Sequence, residues 1–448
     1  MRHLQTQSLI VLLALTLLGT ACDNNTSTTG PGEETATVEG KVEDDGSQNK
    51  AKSSAFSETA ASVEGATVTA ARITADGSLE TISGAETETS AEGEFSLNID
   101  TEAAAGSGQQ ILILAEQNSQ QWKAFLTAQL ESGSTVQVQP LTEESSAEAD
   151  VLTELIAEGH TDLVSKADIE AYIGSRVSSE IRNNTGAASS FAEALVAEAQ
   201  ARAEFFAGQS ASLTQEQKQQ VMEAKNEAQV QLESELHAAT TAEQREAAME
   251  TFAEAIVSAH ADADIDAGIY AMAREMSGRV LVKHSSELSA EAASEVRTNV
   301  ALLTSHAIDA AVQTRMETAD VAESNIQLAA DAALALRSDI KATSGATKED
   351  IDAAFDAYNE SIVDILSQEF SASSETITNI HLQINQSNGA KASLESSLEA
   401  TIDTQLIADA YATFISEVRT IVEEAFSAAS EAEVQLVADV MILANLAN

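Results

Sequence analysis

The sequence predicts a multidomain α+β protein, in which a small antiparallel β-sandwich is followed by a large, mostly antiparallel all-α helical bundle. Three observations carry this expectation. The only two prolines, Pro31 and Pro140, bracket a glycine-containing stretch in which apolar and polar residues alternate with period two. Beyond Pro140 there is no proline in 308 residues, and only 8 of the 20 glycines remain. That remainder is rich in Ala, Glu, Gln and Leu, which are strong helix formers, whereas proline would remove a helix donor. With 448 residues the chain is also too long for one ordinary core.

Taken in order, Arg2 and His3 precede a run at 9–18 that is apolar but for Thr16, and Gly19, Thr20 and Ala21 then lead into Cys22. The run is about half the roughly 20 residues that a spanning helix needs, so it reads as a cleaved signal rather than an anchor. Cys22 is the only cysteine and has no disulfide partner in the chain. The segment resembles the bacterial lipoprotein signal, with Gly19 standing where that family usually has Leu. The resemblance implies a signal peptide over 1–21, lipidation of Cys22, and a membrane-anchored place in the cell envelope, periplasmic or at the cell surface. An ordinary signal peptide cut after Ala21, leaving Cys22 as a free thiol, is the other reading. Residues 22–35 are polar, small and turn-rich, and read as a flexible tether.

Charge narrows the partners. With 72 acidic and 23 basic residues the formal charge is -49, and such a surface repels phosphate backbones, which excludes nucleic acid as a partner. Abundant carboxylates, few lysines and much Ala and Thr resemble the composition of proteins from very salty habitats. Aromatic residues are only 4%, so small-residue helix packing is expected in place of a thick aromatic interior.

Residues 36–140 read as the sandwich. Val38, Gly40 and Val42 alternate with Glu39 and Lys41, Ala66 and Val68 with Thr67 and Thr69, and Phe95, Leu97 and Ile99 with Ser96 and Asn98. Residues 111–114 form a continuous apolar strand, another contains Trp122 and Phe125, and Val136 and Val138 close a set of about seven strands. Asp44-Asp45-Gly46, Asp76-Gly77 and Glu92-Gly93 supply turns. The runs VEGKV from Val38, VEGATV from Val63 and AEGEFSL from Ala91 resemble the carboxypeptidase-regulatory-like, transthyretin-related sandwich. The resemblance implies a non-catalytic binding or spacer module. The Ser- and Ala-rich insert at 47–62 departs from that family, and reads as either a disordered loop or a partner-binding flap.

Residues 141–448 read as an acidic, Ala-rich helical domain. Ser145 with Glu148, Thr214 with Gln217 and Thr241 with Gln244 have capping-box spacing. Breaks are expected at 159–161, 183–186, 208–213, 237–240, 285–289, 343–346 and 385–390. Between Ser289 and Lys341 neither Gly nor Pro intervenes, and a continuous helix there would be a rod of roughly 75 Å. Ile351, Phe355, Tyr358, Ile362 and Ile365 form a stripe continued by Phe370, Ile377, Ile380 and Ile384. Leu394, Leu398, Ile402 and Leu406 form the next, packing back across the 385–390 turn. Residues 434–446, apolar apart from Asp439 and a few other polar positions, read as a core helix that closes the bundle.

Candidate chemistry is sparse. Asp262, Asp264 and Asp266 alternate as a calcium loop begins, since alternate positions turn oxygens toward a hard cation. Such a loop wants Gly after the third Asp and Glu at its twelfth position, where this chain has Ala267 and Ala273. The ordinary reading is a solvated helix end; if calcium binds specifically anywhere, the sequence puts it here. His284 and Glu287 form the only His-x-x-Glu, which resembles a pair in imelysin-type envelope lipoproteins, although Val282 stands where that family has Gly. There is no Glu-x-x-His, no His-Glu-x-x-His, no phosphate-binding glycine loop and no Gly-x-Ser-x-Gly elbow. Nothing in the sequence supports an enzyme, and no cofactor other than that calcium is implied. The sequence residues LTQEQ from Leu213 resemble the helix start of small helical periplasmic chaperones.

The expectation is therefore a lipid-anchored cell-envelope protein with a non-catalytic structural or binding role, its partners the membrane, through Cys22, and an envelope protein or cation. The alternatives are a calcium- or cation-linked binding or adhesion protein and a helical periplasmic chaperone.

Overall fold

The structure is a computed structural model that describes residues 35–44, 61–104, 110–126, 130–210, 213–239, 242–263, 265–342, 347–401, 403–426 and 429–446. Cys22 with the signal and the tether up to residue 34, the expected turn residues Asp45 and Gly46, most of the 47–62 insert, Thr241, Asp264, Ile402 and the break at 343–346 lie outside them, while Thr35, taken as the end of the tether, begins the first strand.

The N-terminal strands are β1 (Thr35–Lys41), β2 (Glu43–Asp44), β3 (Ala61–Ser62), β4 (Thr67–Ile73), β5 (Leu79–Glu88) and β6 (Glu94–Asp100). A single helical turn, α1 (Thr101–Ala104), precedes β7 (Gln110–Gln117), β8 (Gln120–Phe125) and β9 (Thr135–Gln137). One sheet has the order β6-β1-β9 and another β5-β4-β7-β8, with β2 and β3 as a separate pair. Pairing is antiparallel with one exception: β9 runs parallel to β1, in register Val38 to Val136. Val38, Phe95, Leu97 and Ile99 meet Val68, Ile113, Trp122 and Ala124 in the core between the two larger sheets. Gly40 is required there, because a Cβ on it would lie 2.5 Å from Val138 and 2.7 Å from Phe95.

The four-stranded sheet has a second buried face. Ile73, Leu112 and Phe125 join a core made with helical residues Leu152, Leu155, Tyr172, Phe191 and Leu195. This explains why 111–114 is apolar without alternation: both of its faces are covered. Strand β5 was not legible from alternation. Of its ten residues only Ile82 and Ala85 are buried, and its register with β4 shifts between Thr69 and Ala71.

The chain leaves the sheets through Leu141, whose amide donates to the Lys41 carbonyl (2.8 Å), and enters α2 (Glu143–Glu158) two residues later. The cap is Thr142 paired with Ser145, which corrects the expected Ser145–Glu148 box; Ser145 is already inside the helix and Glu148 is fully buried. There follow α3 (Lys166–Tyr172), α4 (Ser175–Asn183), α5 (Ala187–Ser210), α6 (Gln215–Ala238) and α7 (Ala242–Asp262). The expected Thr214–Gln217 box caps α6. Next come α8 (Gly268–His284), α9 (Ala290–Thr318), α10 (Glu323–Ala342) and α11 (Lys348–Glu369). The rest is α12 (Ser374–Asn385), α13 (Ala390–Glu399), α14 (Thr404–Ala425) and α15 (Glu431–Ala444).

The rod expected over 289–341 is two helices, α9 and α10, that pack on each other. Asp320 turns the chain with φ +56°, a conformation Asp tolerates better than most residues. Glu369 caps the restart, accepting from the Ala322 amide (3.2 Å) and from Asn325 Nδ2 (2.7 Å). The stripe Ile351, Phe355, Tyr358, Ile362 and Ile365 is buried in α11, and Ile377, Ile380 and Ile384 are buried in α12, with a short 3-10 turn at Ser371–Ser373 between them. Each such side chain contributes roughly 1.5–3 kcal/mol by leaving water. The next stripe changes phase after Leu398. Asp403 caps a new helix, so Ile407 is buried and Leu406 is 55% exposed, which corrects the expected continuation to Leu406. Helix α15 is buried along Leu436–Ala444 and packs on α9, α11 and α14.

Candidate functional site

The densest chemistry in the described residues is a set of buried ion-pair clusters between helices. In the first, α3 contributes Asp168, α5 contributes Glu198 and Arg202, and α8 contributes Arg274 and Ser277. Arg202 grips Asp168 with both terminal nitrogens (2.9 and 3.0 Å) and donates to Glu198 (3.1 Å), one turn before it on the same helix. Arg274 reaches Asp168 (3.4 Å) and donates through Nε to the Tyr270 hydroxyl (2.9 Å), and Ser277 donates to Glu198 (2.7 Å). Burial alone would push the Asp168 carboxyl up, but the Arg202 and Arg274 guanidinium groups outweigh it and hold Asp168 well below the usual carboxylate range.

A second cluster ties α7, α9 and α10 together. Arg337 donates to Asp309 (2.9 Å) and to Glu250 (3.1 Å), and Gln313 donates to the other Asp309 oxygen (2.7 Å). His306 lies beside it, with Nε2 3.8 Å from Glu246. Burial pushes its imidazole down to about 3, and Arg337 and Lys341 add to the fall, so it is neutral near pH 7.

The third cluster holds part of the segment singled out as a calcium loop. Asp262 is the exposed last residue of α7. Asp266 is turned toward arginines: it pairs with Arg315 (2.5 Å), lies 3.9 Å from Arg419, and accepts from the Gly268 amide (2.8 Å). Asp439, the buried carboxylate of the closing helix, completes the group, at 3.3 Å from Arg419 and 3.5 Å from Arg315. Asp266 and Arg315 also line an open cleft of about 320 Å³, with Ile265, Thr314, Thr318 and Gln435. Among the described residues, no three His, Cys, Asp or Glu side chains are grouped as a metal ion would need. His284, at the end of α8, and Glu287, in the turn Ser285–Glu287, are both exposed.

A fourth cluster is built differently. Glu144 and Glu148 on α2 and Glu170 on α3 all face one guanidinium, that of Arg245 on α7. Arg245 pairs directly with Glu144 and lies 4.0 Å from Glu148 Oε1. Gln139, just past β9, donates to the other Glu148 oxygen (3.0 Å). Burial pushes the Glu148 carboxyl up to about 7 against the pull of Arg245.

Chemically, the first three clusters are guanidinium-carboxylate locks that hold helices in register. In the first, the Ser277 hydroxyl donates to Glu198, which Arg202 also holds, but Ser277 and Glu198 are both fully buried, so the group faces neighbouring helices and not an open site. The i,i+4 pairs Glu198–Arg202 and Glu275–Arg279 are visible in the sequence, but the partners across helices are not. Compared with protein-family models, with curated proteins and with solved structures, the chain gives no significant match.

Proposed function

We propose that the protein is a lipid-anchored component of the cell envelope with a non-catalytic structural or binding role. The observation that carries the reading is the apolar run at 9–18 leading through Gly19, Thr20 and Ala21 to Cys22, the only cysteine. The resemblance of the 36–140 region to carboxypeptidase-regulatory-like modules supports a spacer or binding role beside the membrane. No helix among the described residues is long and apolar enough to cross a membrane.

The test is detergent phase separation of the protein from cells fed labelled fatty acid. The expected result is label on the protein and partition into the detergent phase, both lost in Cys22→Ser. Unlabelled wild type that stays in the aqueous phase would overturn the reading.

A further inference from the structure

The Glu148 cluster sits where the sheets hand the chain to the helices. Residues 138–141 continue the β9 pairing along β1: Val138 donates to Glu39 (2.9 Å) and Leu141 to Lys41 (2.8 Å). Gln139, between them, is buried and turned to Glu148 on α2. Glu148 itself has no exposed side-chain surface, and its Oε1 accepts no hydrogen bond, with only Arg245 nearby at 4.0 Å. The strand exit, α2 and α7 therefore converge on a single carboxyl group.

The charge count at this point does not close. Glu144 on the same helix competes for the same guanidinium, and it is Glu144 that is in direct contact with it. With Glu144 and Glu148 both ionised, one cation faces two anions, and the one deeper inside has the weaker access to it. A buried charge without a close partner is expensive, whereas a neutral carboxylic acid accepting from Gln139 is not. We propose that Glu148 is a proton-operated latch: protonated, it lets residues 136–141, α2 and α7 close on one another, and ionised, it loosens that seam. The position of this group, raised by burial to about 7, puts the change close to neutrality. The inference stands independently of how the protein is anchored.

The test is hydrogen exchange of the full chain, read on peptides covering residues 136–141 and α2, at about pH 5.5 and about pH 8.5 with correction for intrinsic exchange. Against an ordinary value of 4.5 for the opened state, a group near 7 makes the opening constant about 30-fold larger at the higher pH. Glu148→Gln mimics the protonated form and is expected to abolish that response. A second buried carboxyl, Glu275 beside Arg279 on α8, is also pushed up to about 7, so Glu275→Gln is the control that leaves the response at 136–141 in place. Equal corrected exchange at the two pH values in the wild type would overturn the proposal, as would a response that survives in Glu148→Gln. If Glu148→Gln does not fold, infrared difference spectra of the wild type decide. A protonated-carboxyl band lost between these pH values, and still lost in Glu275→Gln, supports the latch; its absence overturns it.

Discussion

Asp168 and Glu148 lie on consecutive helices, both buried and both facing arginine, and they have opposite electrostatic fates. Asp168 has two guanidinium groups to itself and Glu198, while Glu148 shares one with Glu144, which holds it directly. Burial pushes both groups upward, and only the local count of cations decides which way each ends. In a chain with 23 basic residues against 72 acidic ones, where the arginines are placed matters more than how many carboxylates are buried.

The same amide substitution at the two positions breaks the comparison most sharply. Asp168→Asn strands Arg202 and Arg274 with less than their charge in carboxylate, and about 3–5 kcal/mol of stability is expected to go, seen as an earlier midpoint in denaturant melts. Glu148→Gln is expected to stabilise by about 3 kcal/mol above pH 7 and by nothing below about pH 4, the shift from 4.5 to about 7 converted at roughly 1.4 kcal/mol per unit. The signs follow from linkage. The favourable proton on Glu148 is fully present below 4.5 and is lost as pH rises to about 7. The contribution of Asp168 is present above its ordinary value of 3.8 and is lost only as pH falls through its much lower value in the folded state.

A smaller effect sharpens the point for a carboxylate that serves backbone rather than arginine. Glu295 on α9 caps α4, accepting from the amides of Arg176 (3.0 Å) and Val177 (2.8 Å). Gly174 leaves room for it, since a Cβ there would lie 2.8 Å from the carboxylate. Gly174→Ala is expected to cost about 1 kcal/mol, as losing a cap does, in the same melts. Least of all, cutting the surface pair Lys348–Asp352 (2.6 Å) with Asp352→Asn should change stability by less than about 1 kcal/mol, and less again in high salt.

What was legible in the sequence was local. Alternation marked β1, β4 and β6, and the loss of proline and glycine marked the helices, because both signals repeat within a few residues. Strand β5 escaped because its exposed face and its irregular pairing leave only Ile82 and Ala85 to report burial. Leu406 was misplaced because the Asp403 cap resets the helical phase after α13. The ionic clusters were illegible for a different reason. Asp168 and Arg202 are 34 residues apart, Arg245 and Glu144 are 101 apart, and in so acidic a chain each carboxylate reads singly as a solvated charge. Asp266 was chosen from its spacing as a cation ligand, and the cation it meets is Arg315.

The parallel pairing of β1 with β9 has a mechanical meaning. The chain enters β1 at Thr35 and leaves this part of the protein through the far end of the β9 segment, at Leu141. Tension applied to the residues before Thr35 and resisted by the helical body would therefore drag two parallel strands past each other lengthwise. The bonds from Gly133 to Thr35 (2.8 Å), Thr37 to Ser134 (2.8 Å), Val138 to Glu39 (2.9 Å) and Leu141 to Lys41 (2.8 Å) would share that load at once instead of opening one after another. The pairing of β1 with the β9 segment is thus arranged as a shear clamp against a pull on the residues before Thr35.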